Sequence, residues 1–274
     1  MNRVAVVTGT SSGMGLHAAV ALAKAGCTVV ATVRSKERAV ALEEAAAGAD
    51  VTLDIRELDV TDHAANARFV DEVVADHGSI DVLVNNAGRG CVGTAETLPT
   101  ETVREQMETN YFSVVALTQA VVLPHMREAR RGTIVTVTSV GGVVGQPFAD
   151  AYCAAKFAVE GFMQSLSTVA AHVGVRVSVI EPAAVATQFV DNVEKIDGGP
   201  YQEQLDAYLA RTAGAFANAQ SAESAGEAIA GAALADEYRF RWQTSDAAAT
   251  FAGVSLGHLD GSRVLGMTTP WTQA

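Results

Sequence analysis

Residues 3–26 read RVAVVTGTSSGMGLHAAVALAKAG: an apolar run, a glycine-rich turn, then an alanine-rich helical pattern. The run VAVVTG (4–9) is rich in valine and barely alternates, as a strand buried on both faces should be. Gly9, Gly13 and Gly15 permit a tight turn and let backbone N–H groups, here those around Ser11, Ser12 and Met14, close on an anion at the helix N-terminus. The spacing is G-x-x-x-G-x-G rather than G-x-G-x-x-G. No Gly-Lys-Ser/Thr ending follows, which argues against nucleoside triphosphate hydrolysis.

The same strand–turn–helix grammar continues outward. Strand candidates are TVVATV (28–33), DVTLDIREL (50–58), IDVLVNN (80–86), GTIVTVTS (132–139) and RVSVIEP (176–182). Helical patterns fall near 13–26, 36–48, 62–77, 100–129 and 150–173. Such alternation implies right-handed crossovers and a parallel sheet covered on both faces. No Pro- or Ser-rich linker interrupts it, so residues 1–274 read as a single α/β domain. After residue 183 the pattern loosens: a Gly-Gly-Pro turn (198–200), helical pieces near 201–216 and 221–236, and YRFRWQ (238–243) as an edge strand.

Composition closes off several functions. With 49% apolar and 18% charged residues the chain can bury a large core. Its net charge is −12 and its only basic cluster is Arg127, Arg130 and Arg131, so a nucleic-acid partner is not expected. Cys27, Cys91 and Cys153 lie far apart, which suits a reduced compartment, and the six histidines show no ligand spacing, so no metal is expected. No charged leader precedes the first strand, and no apolar run reaches membrane-spanning length. The expectation is a cytoplasmic protein without a membrane span.

AYCAAKFAVEG (151–161) places Tyr152 and Lys156 four residues apart, on one face of a helix. A free phenol titrates near 10, too high for acid–base work at neutral pH. A neighbouring ammonium favours the phenolate, so Lys156 is expected to lower the pKa of Tyr152 toward the working range.

Taken together, TGTSSGMG (8–15), NNAG (85–88), Asn110, Ser139 and Tyr152-x-x-x-Lys156 resemble the short-chain dehydrogenase/reductase family over residues 3–187. The resemblance implies a Rossmann-type, doubly wound parallel sheet of about seven strands flanked by helices, with the cofactor-binding part at about 1–185. It implies hydride exchange between a nicotinamide cofactor and a ketone or secondary alcohol. Tyr152 would exchange the proton, Ser139 would hold the substrate oxygen, Lys156 would also bind the nicotinamide ribose, and Asn110 would hold a water behind Lys156. Gly9, Ser11, Ser12, Gly13 and Met14 would cradle the phosphates; Asp59 and Val60 would meet the adenine; Asn86, Ala87 and Gly88 would line the adenosine side. Pro182, Ala183, Val185 and Thr187 would face the nicotinamide. Ala183 stands where the family usually has glycine, and its Cβ would crowd the loop if φ were positive.

Cofactor choice is read from the end of the second strand, VVATVRSK (29–36). Thr32 and Val33 offer no carboxylate for a ribose 2′-hydroxyl, whereas Arg34 can meet a 2′-phosphate, with Ser35, Lys36 and Ser11 adding donors or charge. NADP(H) is therefore expected over NAD(H). Residues 187–219, with Phe189, Tyr201, Leu205, Tyr208, Leu209 and Phe216, are expected to form a lid over a bulky lipophilic or natural-product substrate, nearest in character to the steroid and retinol branch. A non-catalytic cofactor sensor would be expected to lose Tyr152 or Lys156; an NAD-dependent dehydrogenase of a small alcohol is the other alternative. Helical stretches 111–126 and 151–167 carry more apolar surface than one buried face needs, so a homodimer or homotetramer is expected.

Overall fold

Valine and isoleucine runs, stiff at χ1 and suited to a pleated surface, become the strands. They are β1 (Val4–Val7), β2 (Thr28–Val33), β3 (Asp54–Glu57), β4 (Val82–Asn85), β5 (Gly132–Val137), β6 (Val175–Glu181) and β7 (Arg241–Gln243). In the computed structural model, which describes residues 3–121, 125–189, 192–216, 218–257, 263, 266–267 and 269–272, they form one sheet in the order β7-β6-β5-β4-β1-β2-β3. Every pairing is parallel; Val6, for example, lies opposite Val30 on one side and Leu83 on the other. The chain winds outward from β1 through β2 to β3, then returns to β4 on the other side of β1. That reversal opens a crevice at the carboxyl ends of β1 and β4.

The helices are α1 (Gly13–Lys24), α2 (Val40–Gly48), α3 (His63–His77), α4 (Thr100–Met107), α5 (Ser113–Val121), α6 (Asp150–Ala171), α7 (Gln202–Phe216), α8 (Ala222–Leu234) and α9 (Asp246–Leu256). Alternate residues of β1 serve the two layers, as the pleat requires. Val4 and Val6 pack with Phe69, Leu117, Val159 and Met163 of α3, α5 and α6. Ala5 and Val7 pack with Leu22, Leu42 and Ile229 of α1, α2 and α8. Helices α1 and α8 touch at Gly226, where a Cβ would fall 2.5 Å from His17 Cβ and 2.7 Å from the Ala18 nitrogen. This close contact locks α1 onto α8 and the sheet.

Several boundaries differ from the sequence reading. β3 is much shorter than 50–58, because Asp50 takes a left-handed φ of 53° and residues 49–51 bond back to Ala45, Ala46 and Ala47 to close α2. The long helix expected at 100–129 is interrupted by a π-helical turn, Glu108–Phe112, between α4 and α5; residues 122–124 lie outside the described residues. Two short strand pairs and α9 carried no clear sequence signal. One pair joins Cys91–Val92 to Glu194–Lys195, the other Val185–Ala186 to Gln220–Ser221. Among the described residues no helix is long and apolar enough to cross a membrane.

Candidate active site

The glycine-rich turn is stitched to both neighbouring strands. Thr8 N donates to Val84 O (3.0 Å), and Thr10 N to Thr32 O (2.9 Å). Asn86 Nδ2 donates to the carbonyls of Thr8 and Gly9 at 2.9 and 3.0 Å, while Thr8 Oγ1 accepts from the backbone of Asn86 and Ala87. Gly9 is obligatory here: its φ is +69° and a Cβ would lie 2.8 Å from Ala87 Cα. The N-cap of α1, Ser12, makes no side-chain capping bond, so the first N–H groups of α1 are left for an anion.

The crevice is a cleft of about 1860 Å³, beyond the usual range for a drug-sized ligand and roomy enough for a dinucleotide with a second molecule. Its walls include Gly9, Ser11, Ser12, Gly13, Met14, Arg34, Asp59, Val60, Asn86, Ala87, Gly88, Ser139, Tyr152, Lys156, Pro182, Ala183, Val185 and Thr187. Of the residues that the family resemblance assigns to catalysis and cofactor binding, all but one therefore meet in one place. The exception is Asn110, buried behind the wall, whose side chain grips the Arg89 backbone (Oδ1 from Arg89 N, 3.1 Å; Nδ2 to Arg89 O, 2.9 Å) and bonds Gln106. Ala183 is not in the left-handed region, so the feared crowding does not arise.

At the end of the cleft beyond β2 and β3, Asp59 accepts from Thr61 N and Thr61 Oγ1. Burial alone would raise its carboxyl; those bonds and the Arg34 charge outweigh it and hold the group below the usual range. Arg34 is exposed at the rim, and Lys36 lies outside this cleft. Arg38, which the sequence reading passed over and which ends the 3₁₀ turn Lys36–Arg38, lines it instead. Thr32, also on the wall, has its Oγ1 buried with no hydrogen-bond partner among the described residues.

At the chemical end, Ser139 leaves β5 and caps a short turn, its Oγ accepting from Gly141 N at 2.9 Å. Tyr152 and Lys156 sit on successive turns of α6. Lys156 Nζ is 5.8 Å from the Tyr152 ring centroid and donates to Val137 O at 3.0 Å. The expected lowering of the Tyr152 pKa is corrected here. Burial pushes the phenol up to about 12, only partly offset by a hydrogen bond with Ser139. Burial likewise pulls Lys156 down to about 8, opposed by the charge of Glu160. The ammonium is itself short of solvation, and for both groups the loss of hydration is the largest cause of the shift.

Behind Lys156 lies a buried ionic cluster absent from the sequence reading. Glu160 accepts from Thr138 Oγ1 (2.5 Å) and from Arg241 (2.7 Å); Arg241 also bonds Glu181, which takes a further bond from Gln243. Burial raises Glu160 to about 7, and the nearby Glu181 charge adds to it.

Of the expected lid, Phe189, Tyr208, Leu209 and Phe216 line the cleft. Tyr201 does not: it is 46% exposed, and Leu205 is buried against Val92 and Tyr208; residues 190–191 and 217 lie outside the described residues. Arg89 ties the lid down through Glu105 (2.7 Å) and Glu194 (2.8 Å). Two rings were missed from the sequence: Trp271 lines the cleft and stacks on Tyr208 at 6.4 Å, and Phe148, held at a φ of 61°, packs 5.6 Å from Tyr208 behind it.

A parallel Rossmann-type sheet with a serine, a tyrosine and a lysine beside a glycine-lined crevice defines a nicotinamide-dependent oxidoreductase. The chain belongs to the short-chain dehydrogenase family, whose sequence pattern, described as "short chain dehydrogenase", matches residues 3–197. It is similar to 3-ketodihydrosphingosine reductase of Bacteroides thetaiotaomicron, 36% identical over 76% of this chain and 73% of that one. It is 41% identical to human retinol dehydrogenase 8 over 68% of this chain, spanning 60% of that protein's length. A solved short-chain dehydrogenase from Streptomyces avermitilis superimposes with a TM-score of 0.81 at 30% identity, covering 98% of this chain and 96% of that one.

Proposed function

We propose that this protein is an NADP(H)-dependent oxidoreductase acting on a bulky, lipophilic ketone or its secondary alcohol. The observation that carries the reading is the meeting of Ser139, Tyr152 and Lys156 with the glycine-rich turn on one cleft. The residues present fit the cofactor. The uncapped N-terminus of α1 suits a pyrophosphate, and the unpartnered Thr32 Oγ1 beside Arg34 and Arg38 suits an oxygen-rich ribose phosphate. Bound there, NADP(H) supplies or accepts the hydride.

The chain's own groups manage the proton and the oxygen. With its pKa near 12, Tyr152 stays protonated across the physiological range and acts as the acid that donates to the substrate oxygen during reduction. Ser139 Oγ donates to the same oxygen and stabilises charge building on it. Lys156, fixed on Val137 O, supplies positive charge below about pH 8. Phe189, Tyr208 and Phe216 exclude water and offer an apolar bed. The names of the two relatives, a ketosphingoid reductase and a retinol dehydrogenase, support a lipophilic substrate. Phe112 and Phe157, each 46% exposed near the start of α5 and on α6, support pairing of two or four copies through those helices.

The test is NADPH oxidation with a panel of apolar ketones, repeated with Tyr152→Phe. The variant keeps the ring but has no proton to give, and should lose at least ~100-fold in kcat while still binding NADPH. Wild-type turnover by Tyr152→Phe would sink the mechanism.

A further inference from the structure

The cleft holds one more polar group at the reacting end that the proton chemistry leaves unused. A Cβ placed on Gly141 would sit 3.1 Å from Gln146 Nε2, 3.2 Å from Tyr152 Cε1 and 3.3 Å from Ser139 Oγ. Three side chains thus converge on one notch, kept open because residue 141 has no side chain. Gln146 is held there by its backbone, whose N–H donates to Cys153 Sγ (3.4 Å) and whose carbonyl accepts from Ala149 N (3.2 Å). Its amide, by contrast, makes no hydrogen bond with any of the described residues and lines the cleft.

Resting on the oxidoreductase reading above, we propose that Gln146 selects substrates with a second oxygen one to three bonds from the reacting carbonyl: β-keto esters, 1,3-diketones or hydroxyketones. With the reacting oxygen on Tyr152 and Ser139, the substituents of the carbonyl carbon pass the Gln146 amide. An oxygen there receives the Nε2 hydrogen bond. A methylene there strips the amide of water and returns nothing, and that asymmetry makes a polar site selective. The aromatic side walls, Phe189 6.0 Å from the Tyr152 ring and Tyr208 stacked on Trp271, suit a ring-bearing body. A neutral hydrogen bond lost to an apolar group corresponds to roughly 10- to 100-fold in specificity.

Ethyl benzoylacetate and hexanophenone test this, since they share an aryl ketone and a side chain of equal length and differ in the second oxygen function. The wild type should favour the keto ester in kcat/KM by about 10-fold or more beyond the ratio of their borohydride reduction rates, which removes intrinsic reactivity. Both Gln146→Leu and Gln146→Glu, which lack the amide donor, should bring the corrected ratio to within about twofold of unity. A wild type with no corrected preference, or variants that keep it, overturns the role of Gln146 while leaving the oxidoreductase reading intact. No turnover of either ketone with NADPH or NADH would instead remove that reading, and this inference with it.

Discussion

Replacing Glu160 with glutamine should stabilise the protein at alkaline pH relative to wild type, because the buried cluster behind Lys156 carries two carboxylates for one guanidinium. Arg241 serves both Glu160 and Glu181, and neither carboxylate is more than 5% exposed. Burial, the larger cause, and the Glu181 charge raise Glu160 from an ordinary 4.5 to about 7. The sign follows from proton counting. Between about 4.5 and 7 the folded protein keeps a proton that the unfolded chain has released, so stability falls as pH rises through that window. At ~1.4 kcal/mol per pH unit, the loss reaches about 3 kcal/mol by pH 8. Glutamine fits the same space: Nε2 can donate to Thr138 Oγ1, which still donates to Ile180 O at 2.9 Å, while Oε1 accepts from Arg241. Urea unfolding of both proteins at pH 5 and pH 8 gives the answer as a difference of differences, in which titrating groups not coupled to Glu160 cancel. The variant should gain about 2.5 kcal/mol on wild type between the two pH values, and parallel pH dependences would refute the reasoning. Since the Glu160 charge helps hold the proton on Lys156, the alkaline edge of ketone reduction should also move to lower pH in the variant.

Three other outcomes are expected. NADP(H) should bind at least ~10-fold more tightly than NAD(H) at low salt; Arg34→Ala should erase most of the gap and Arg38→Ala part of it, as cofactor titration would reveal. Gly226→Ala should lower Tm despite the better helix propensity of alanine, worth ~1 kcal/mol, because its Cβ would strike His17 and Ala18; overpacking of this kind costs about 1–3 kcal/mol, and an unchanged or higher Tm would contradict it. Light scattering at micromolar concentration should return twice or four times the chain mass, and Phe157→Glu should lower it; a monomeric wild type would dismiss the pairing of α5 and α6.

What the sequence displays plainly are features fixed by local geometry. Glycines at 9, 13 and 15 after a valine run state a turn, and four-residue spacing puts Tyr152 and Lys156 on one helix face whatever surrounds them. What it conceals depends on who the neighbours are. Lys156 near Tyr152 argues for a lowered phenol pKa only while both are solvated; packed into the fold, both groups lose hydration and the phenol shifts the other way. Helix phase hid the lid in the same way. Tyr201 and Tyr208 seem equivalent at seven-residue spacing, but Tyr201 belongs to the 3₁₀ turn Gly199–Tyr201, whose different rise and angle swing it outward before α7 begins. Asn110 shows the limit from the other side. Its position in the chain was legible, yet the π-helical turn that lets it reach back to Arg89 follows from no propensity of ETNYF. That turn is the price of placing an amide under Gly88, where a Cβ would meet Asn110 Oδ1 at 2.9 Å and Lys156 Nζ at 3.8 Å. The irregular turn thus lies where Lys156 and the loop at Gly88 come together, and there local rules give way to tertiary contacts.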